Sequence, residues 1–309
     1  MTAFMPVRRL INYLGSPNWD RQHKWRHAIW RSMATLGLTG LHGLPFHGQW
    51  IELHQRGMPL VGLDPAFEGF KLVQISDLHY SPMVTRAYLR QAIDLINGLK
   101  PDLLVVTGDL LTGGHRFVKG VTDLLCRAKT PEPVIVTFGN HDYTMMGKRR
   151  PAHGQRLADA LEVELQKGGC VVLRNERHTV RRGNGELTLV GLDDEWTGAI
   201  NPDLAFDGID ERHPIVCLNH NPVNAPELLD YPWQWMLSGH THGRPLKEMK
   251  FRKRVVRRGR PFVKGYYELA GRHLYVNGGL SYGNRRRHAN RPEITLFTLA
   301  VSARTGQGA

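Results

Sequence analysis

The sequence predicts a layered α/β domain, with two packed sheets or one large mixed sheet. The first reason is that, from about Phe70 onward, short apolar runs alternate with segments of helical periodicity. The second is a composition of 41% hydrophobic and 22% charged residues, which is typical of soluble globular proteins. The third is the length, because 309 residues can bury the core of one large domain, or of one domain with a short appendage.

The predicted elements follow one another in a regular order. Strands are predicted at residues 70–76, 102–107, 133–138, 170–173, 179–182, 187–192, 215–218, 235–237, 274–276 and 293–299, and helices at 85–99, 118–128 and 155–166. The first helix places Leu89, Ile93 and Ile96 along one side. The turn Gly183-Asn184-Gly185 joins two of the shorter strands.

Residues 1–50 form a basic, aromatic segment that differs in character from the globular part at 51–309. Asp20 is its only acidic residue, and its cations are interleaved with Tyr13, Trp19, Trp25 and Trp30. We expect a helix at about 19–36. Two interpretations of this helix stay open: it lies in a membrane interface, with rings at the headgroups and cations on lipid phosphates, or it packs on the flank of the domain.

The net charge of +13 favours polyanionic partners, which include nucleic acid, an anionic membrane surface and a phosphorylated substrate. Cys126, Cys170 and Cys217 are far apart and lack metal-type spacing, so we expect buried, reduced thiols. We also expect neither a transmembrane helix nor a secretory signal. A cytoplasmic protein is therefore predicted, either free or peripheral at the inner face of the cell membrane.

Polar residues that can bind metals directly follow five of the predicted strands. They are Asp77-Leu78-His79, Gly108-Asp109, Gly139-Asn140-His141-Asp142, Asn219-His220 and Gly239-His240-Thr241-His242-Gly243. Strands that end at one edge of a sheet deliver their loops to one place, so we expect these side chains to meet. In an extended segment residues two apart point the same way, which would let Asp77 and His79 face one ion, and likewise His240 and His242.

The candidate ligands combine carboxylate, imidazole and amide groups and contain no thiolate. This set suits Mn²⁺, Fe²⁺ or Zn²⁺ better than Ca²⁺. The seven candidate side chains are too many for one tetrahedral ion and suit two ions that share a carboxylate. The glycines beside Asp109, Asn140, His240 and His242 suit sharp turns where backbone passes close to the metals.

The order DLH, GD, GNHD, NH and GHTHG resembles that of the calcineurin-like metallophosphoesterases, over about residues 70–299. The resemblance implies a four-layer α/β/β/α metallophosphoesterase sandwich with two divalent metal ions. It implies that Asp77, His79 and His242 hold the first ion, that Asn140, His220 and His240 hold the second, and that Asp109 bridges them. It also implies that His141 is catalytic, by contacting the scissile phosphate or assisting the leaving group.

The implied activity is hydrolysis of a phosphodiester or pyrophosphate bond by attack of a metal-bridging hydroxide. The segments GLDPAFEGFKLVQISDLHYSP, GLDDEWTG and NGGLSYGN are similar to those of the membrane-associated phosphodiesterase branch, some members of which hydrolyse UDP-2,3-diacylglucosamine in lipid A synthesis. The resemblance therefore implies a phosphorylated small-molecule or lipid-linked substrate and, as a second partner, an anionic membrane surface.

Cations are concentrated after the last histidine motif. They are Arg244, Lys247, Lys250, Arg252, Lys253, Arg254, Arg257, Arg258, Arg260 and Lys264, with a second group at Arg285, Arg286, Arg287 and Arg291. We interpret the first group as an anion-binding rim, and its alternative is a solvated charged loop. The acidic run Asp193-Asp194-Glu195 is interpreted as structural or as a support behind the metal ligands, because the ligand set is already complete without it.

Two rival functions remain. A nuclease or cyclic-nucleotide phosphodiesterase also suits the positive charge, but between Lys247 and Arg260 only Phe251 offers the aromatic surface on which bases stack. The other rival is a non-catalytic scaffold of the same fold, which would be expected to have lost ligands, and none is missing here.

Overall fold

The computed structural model describes residues 51–145, 154–243, 262–281 and 291–302. The predicted helix at 19–36, the whole of segment 1–50, and most of the two cationic groups lie outside the described residues. The division of the chain into 1–50 and 51–309 therefore stays a prediction. None of the helices within the described ranges is both long enough and apolar enough to cross a bilayer.

Strands and helices alternate along the described ranges much as predicted. The strands are β1 (Glu52–Val61), β2 (Lys71–Ile75), β3 (Leu103–Thr107), β4 (Ile135–Thr137), β5 (Val171–Val172), β6 (Glu176–Arg182), β7 (Gly185–Gly191), β8 (Ile215–Leu218), β9 (Trp235–Ser238), β10 (Gly265–Leu269), β11 (Arg272–Val276) and β12 (Glu293–Ser302). The helices are α1 (Arg86–Leu99), α2 (Val118–Leu125), α3 (Gly154–Lys167) and α4 (Pro202–Phe206).

The strands form two six-stranded mixed sheets. The first has the order β1-β12-β2-β3-β4-β5, in which β2 to β5 run parallel and β12 runs antiparallel to β2. The second has the order β10-β11-β9-β8-β7-β6, with four parallel strands between antiparallel edges. Of the two predicted arrangements, the packed pair of sheets is the one that forms.

Three apolar clusters separate four layers of structure. The outer face of the first sheet packs on α1, α2 and α3, the inner faces of the two sheets pack on each other, and the outer face of the second sheet packs on α4. Strand alternation produces this division, because Leu72 faces the other sheet while Val73 faces the helices. The predicted α/β/β/α sandwich is confirmed.

Helix α1 shows how local signals set the element bounds. The Thr85 side chain accepts a hydrogen bond from the Tyr88 N–H at 3.3 Å, which caps the start of the helix. Leu89, Ile93 and Ile96 are buried, as the periodicity predicts. The helix ends at Leu99, and the following residue, Lys100, adopts the left-handed conformation.

Strand β1 was not predicted from its sequence, ELHQRGMPLV, which mixes polar residues with a glycine and a proline. It forms because it pairs in parallel with β12 along its whole length, from Glu52 opposite Glu293 to Val61 opposite Ser302. Tertiary pairing here overrides a weak local pattern. The expectation of three buried thiols was wrong for Cys126, which is exposed at the end of α2, whereas Cys170 and Cys217 are buried.

Candidate metal centre

The five predicted motifs meet at one end of the sandwich, where both sheets deliver the carboxyl ends of parallel strands. The loops after β2, β3 and β4 belong to the first sheet, and those after β8 and β9 belong to the second. Backbone bonds hold neighbouring loops together: the Asp77 N–H donates to the Gly108 carbonyl at 3.0 Å, and the Gly239 N–H to the His220 carbonyl at 2.9 Å. The prediction that these motifs converge is confirmed.

One group of side chains gathers Asp77, His79, Asp109 and His242, whose candidate ligand atoms all lie within 4.8 Å of one another. The Nε2 atom of His79 is 3.4 Å from Asp109 Oδ2 and 3.1 Å from His242 Nε2. The Nε2 atom of His242 is in turn 3.3 Å from Asp77 Oδ1. This is the set predicted for the first ion, together with the bridging carboxylate.

A second group shares Asp109 and adds His220 and His240. The Nε2 atom of His220 is 3.3 Å from Asp109 Oδ2 and also 3.3 Å from His240 Nδ1. Asn140 lies in the loop that follows β4, and its amide nitrogen donates to the Met145 carbonyl at 2.7 Å. The buried Oδ1 of Asn140 has no hydrogen-bond partner among the described residues, so it remains open to a cation.

These residues fit two divalent ions. Bonds of about 2.0–2.1 Å from a metal to nitrogen or oxygen hold neighbouring ligand atoms about 3.0–3.4 Å apart. The nitrogen–nitrogen distance between His79 and His242, at 3.1 Å, falls in that range. Within the described part of the chain, the buried Asp77 Oδ1 and Asn140 Oδ1 atoms make no hydrogen bond, and a cation would satisfy both.

Burial and charge set the protonation of the centre. Burial lowers the pKa of His79 to about 3, against the attraction of Asp109, and lowers that of His240 to about 3 as well, so both imidazoles are neutral. Burial opposes ionisation of Asp109, but His220 and His141 hold the pKa of that carboxyl well below its usual value. Neutral imidazoles and an ionised carboxylate are the forms that bind metals. Burial opposes protonation of His220, but Asp109 raises its pKa to about 10, so His220 would release a proton on binding an ion.

The backbone of the centre corrects one part of the prediction. Asp77, His79 and Asp109 have φ angles of 50°, 48° and 55°, and His240 and His242 have φ angles of 71° and 49°. These residues are therefore left-handed rather than extended, and their side chains converge because the chain bends at each ligand. Such conformations cost on the order of 1–3 kcal/mol each and concentrate at functional sites.

Glycines allow the close approach of the loops, as predicted. A Cβ atom at Gly108 would overlap the His220 ring, and one at Gly139 would overlap the Asp109 carboxylate. A Cβ at Gly239 would overlap Ser76 Oγ and Asp77 Oδ2. No larger residue fits these positions unless a candidate ligand moves.

His141 lies beside the first group, where the sequence placed it. Its N–H donates to Asp109 Oδ1 at 2.8 Å, and its ring meets the His79 ring edge to face at 4.6 Å between centroids. The next residue, Asp142, holds the loop by accepting from the N–H groups of Gly139 at 2.9 Å and Leu111 at 3.1 Å. The catalytic role of His141 stays a prediction.

Ser281 contributes to the centre but was not identified from the sequence. Its Oγ atom lies 3.3 Å from His242 Nδ1, and its N–H donates to the Asp77 carbonyl at 2.9 Å. A signal for it did exist, because Ser281 follows strand β11 and the glycine pair Gly278-Gly279, as the recognised motifs follow their strands. A serine is a weaker metal ligand than histidine or aspartate, so its residue type does not mark it as a candidate.

The acidic run has structural roles, as interpreted from the sequence. Asp193 accepts hydrogen bonds from the Tyr143 hydroxyl at 2.5 Å and from Arg174 Nε at 3.2 Å. Asp194 caps a short 3₁₀ turn, Glu195–Thr197. That turn sets the half-buried Trp196 against the His240 ring, a contact that no sequence pattern indicated.

Lys264 and Arg291 are the two cations of the predicted groups that the structure describes. Lys264 pairs with the buried Glu293 at 2.9 Å, and Arg291 lies 3.8 Å from Glu52. Both therefore have internal partners. The rest of the predicted anion-binding rim lies outside the described residues.

Comparison with known proteins adds family information to this geometry. The profile of the calcineurin-like phosphoesterase family matches residues 70–244, a range that contains every candidate metal ligand. The chain is 33% identical to the metallophosphoesterase YkuE of Bacillus subtilis over 241 residues, which cover 75% of this chain and 80% of YkuE.

Two further relatives have more specific names. Phosphodiesterase YaeI of Escherichia coli is 31% identical over 239 residues, covering 74% of this chain and 82% of YaeI. UDP-2,3-diacylglucosamine pyrophosphatase LpxG of Chlamydia trachomatis is 28% identical over 274 residues, covering 74% of this chain and 83% of LpxG.

Proposed function

This chain belongs to the calcineurin-like phosphoesterase family and is a metal-dependent phosphoric ester hydrolase, and from this premise we propose that it cleaves a phosphodiester or pyrophosphate bond of a lipid-linked substrate. The observation that carries the proposal is the convergence of two ligand groups on the shared carboxylate of Asp109. Two divalent ions bound there would supply an activated water molecule and would offset negative charge on the phosphoryl oxygens.

We assign the ligands as the geometry groups them. Asp77, His79 and His242 would hold the first ion, and His220 and His240 would hold the second, together with Asn140 from the loop after β4. Asp109 lies within 3.4 Å of His79 and 3.3 Å of His220, which supports its role as the bridge. The ligands are held before substrate binds, because bent backbone and close glycine contacts leave the loops little freedom.

We assign His141 to the reacting phosphate rather than to a metal. Its backbone is tied to Asp109 and its ring stands edge to face against His79, so the imidazole borders the first ligand group. From there it can stabilise charge on a phosphoryl oxygen or give a proton to the leaving oxygen. An alkoxide leaving group needs that proton, whereas a nucleotide phosphate needs it little.

The lipid-linked substrate is supported by the similarity to LpxG and by the distribution of charge in the sequence. Residues 1–50 combine tryptophans with cations, and more cations follow His242 directly in the chain. Each basic residue near an anionic bilayer contributes about 1 kcal/mol of attraction, so several of them would hold the protein at the inner face of a membrane.

A nuclease or cyclic-nucleotide phosphodiesterase is the second candidate, and the net charge of +13 favours it. A substrate panel separates the two. We expect the manganese-loaded chain to cleave a UDP-linked diacyl sugar with a higher kcat/KM than cyclic AMP or single-stranded DNA, and Asp109→Ala to cleave none of them. Preference for cyclic AMP or single-stranded DNA would overturn the lipid-linked assignment. Absence of activity on all three substrates in the unmodified chain would overturn the hydrolase mechanism itself.

A further inference from the structure

Each histidine of the centre has one ring nitrogen that points away from the ligand groups, and these outward nitrogens have different partners. The Nδ1 atom of His220 donates to the Thr107 carbonyl at 2.7 Å, and Nδ1 of His242 lies 3.3 Å from Ser281 Oγ. Such partners fix the tautomer and the orientation of a ligand histidine. His240 is arranged the other way round, since its Nδ1 atom faces the centre at 3.3 Å from His220 Nε2.

The outward nitrogen of His240 lacks a hydrogen-bond acceptor among the described residues, and the His240 ring has an aromatic neighbour. Its Nε2 atom is buried and has no hydrogen-bond partner among the described residues. The Trp196 ring contacts the His240 ring, with the two centroids 4.7 Å apart and the two planes at 84°. A perpendicular arrangement at this separation allows the edge of one ring to donate an N–H to the face of the other.

We propose that the indole of Trp196 accepts the Nε2–H of His240 and is a positioning residue for the second metal ion. By keeping the proton on Nε2, Trp196 directs the Nδ1 lone pair of His240 toward the ion. The inference rests on the proposed function in one respect only, which is that His240 is a metal ligand.

The turn that carries Trp196 is firmly held. Asp194 Oδ1 accepts from the N–H groups of Trp196 at 2.9 Å and Thr197 at 3.2 Å. The preceding residue, Asp193, is fixed by Tyr143 and by Arg174, whose guanidinium also pairs with Glu162 on α3 at 2.6 Å. Trp196 itself packs against the helix-side core of the first sheet. The indole therefore has a fixed orientation against His240.

A role limited to filling space does not explain that orientation. The Nε1 atom of Trp196 is also buried, and it too lacks a hydrogen-bond partner within the described ranges. An indole whose N–H is buried is usually oriented so that this N–H reaches an acceptor, because a missing hydrogen bond lowers stability. The contact with the His240 ring would explain why the Trp196 indole is held in an orientation in which its Nε1–H makes no hydrogen bond.

The test measures binding of the second ion rather than activity alone. Mn²⁺ binding is titrated against a competing chelator in the unmodified chain, Trp196→Leu, Trp196→Phe and Trp233→Leu. Trp233 is the matched control, because it is a buried tryptophan that packs in the outer core of the second sheet. We expect Trp196→Leu to bind the second ion about 10- to 100-fold more weakly, Trp196→Phe to recover most of the affinity, and Trp233→Leu to lose only thermal stability.

A spectroscopic readout follows the tautomer directly. Nitrogen-15 NMR of the zinc-loaded chain should show His240 protonated at Nε2, and Trp196→Leu should mix the two tautomers. If Trp196→Leu does not fold, 5,7-difluorotryptophan at position 196 keeps the ring shape while withdrawing electron density from its face. An unchanged second-ion affinity with that residue would overturn the proposal.

The two assignments fail in different ways. If His240→Ala loses the second ion while Trp196→Leu and the fluorinated ring retain it at full affinity, Trp196 has no positioning role and the proposed function stands. If His240→Ala itself retains both ions, the ligand assignment under the proposed function is the one that fails.

Discussion

The ammonium group of Lys264 lies 2.9 Å from Oε2 of Glu293, a carboxylate with no exposed surface. The same carboxylate accepts from the Tyr275 hydroxyl at 2.7 Å and from the Gly278 N–H at 3.2 Å. Glu293 thereby ties β12 to the loop that leads to Ser281 and the metal centre. Its ionisation should matter for the stability of this end of the molecule.

Acid should weaken the fold through Glu293. Burial opposes ionisation of this group, but the charge of Lys264 and the hydrogen bonds from Lys264 and Tyr275 together hold the pKa of Glu293 below its usual value of 4.5. A depressed carboxyl pKa gives stability that is present above the unfolded-state pKa and is lost as the pH falls through the folded-state pKa. We expect part of the unfolding free energy to disappear as the pH falls below about 4.5.

The variant Glu293→Gln tests this dependence by urea unfolding at pH 7 and pH 4. It should lose about 3 kcal/mol at pH 7, because Lys264 then lacks its buried partner, and it should lose less than the unmodified chain on acidification. Glu52→Gln is the control, because Glu52 also pairs with Lys264 but at the longer distance of 3.5 Å and with a partly exposed side chain. An acid response identical to that of the unmodified chain would contradict the prediction.

The bridging role of Asp109 predicts loss of both ions from one substitution. Elemental analysis after reconstitution should approach two metals per chain, and Asp109→Ala should hold close to none, because both ligand groups share this carboxylate. Asp123→Ala, at a partly exposed position on α2 outside both ligand groups, should retain both. Saturation of the unmodified chain at a single ion would show that the centre is not dinuclear.

His141 is predicted to act on the reaction without holding metal. His141→Ala should keep both ions while kcat falls by about 10²–10⁴, and the fall should be larger for an alkyl ester than for a p-nitrophenyl ester, whose leaving group needs no acid. His115→Ala, at an exposed position, provides the control. Metal loss in His141→Ala would refute this role.

Ser281 is predicted to support the first ion. Ser281→Ala removes the oxygen 3.3 Å from His242 Nδ1 and should weaken binding of that ion about tenfold, leaving the second ion unchanged. The competition titration described for Trp196 measures both sites. Equal weakening of the two ions would indicate a general disturbance of the loop rather than an effect through His242.

Membrane contact is predicted to depend on the first residues of the chain. Sedimentation with anionic vesicles should recover the full chain but much less of a chain lacking residues 1–36, and neutral vesicles should recover little of either. Salt should weaken the binding, because exposed charges are screened beyond about 8 Å at physiological ionic strength. Binding that ignores both lipid charge and the truncation would contradict the membrane assignment.

The sequence was informative where one local pattern determines the outcome. Alternating apolar runs located most strands, and the polar residues after them located the centre, because parallel strands bring their ends together. It was uninformative for β1, which depends on pairing with β12. The left-handed bends at Asp77 and His240 were also missed, since a non-glycine residue with positive φ is held by its surroundings and not by its own preference.

The contact between Trp196 and His240 lay beyond sequence reasoning for another reason. The two residues are far apart in the chain, and neither the spacing nor the residue type of an isolated tryptophan indicates a partner. Only the fold, which sets the Asp194-capped turn against the loop after β9, brings the rings together.

The proposed ligands come from two separate sheets: Asp77, His79, Asp109 and Asn140 from the first, and His220, His240 and His242 from the second. Ions in this centre would therefore cross-link the two sheets, which also pack on each other through a shared apolar core. A ligand present at about 100 times its dissociation constant adds roughly 2.7 kcal/mol to the folded state. Removal of the metal would thus lower the free energy of unfolding by weakening the contact between the sheets. In a cell short of metal, the protein would be less stable as well as inactive.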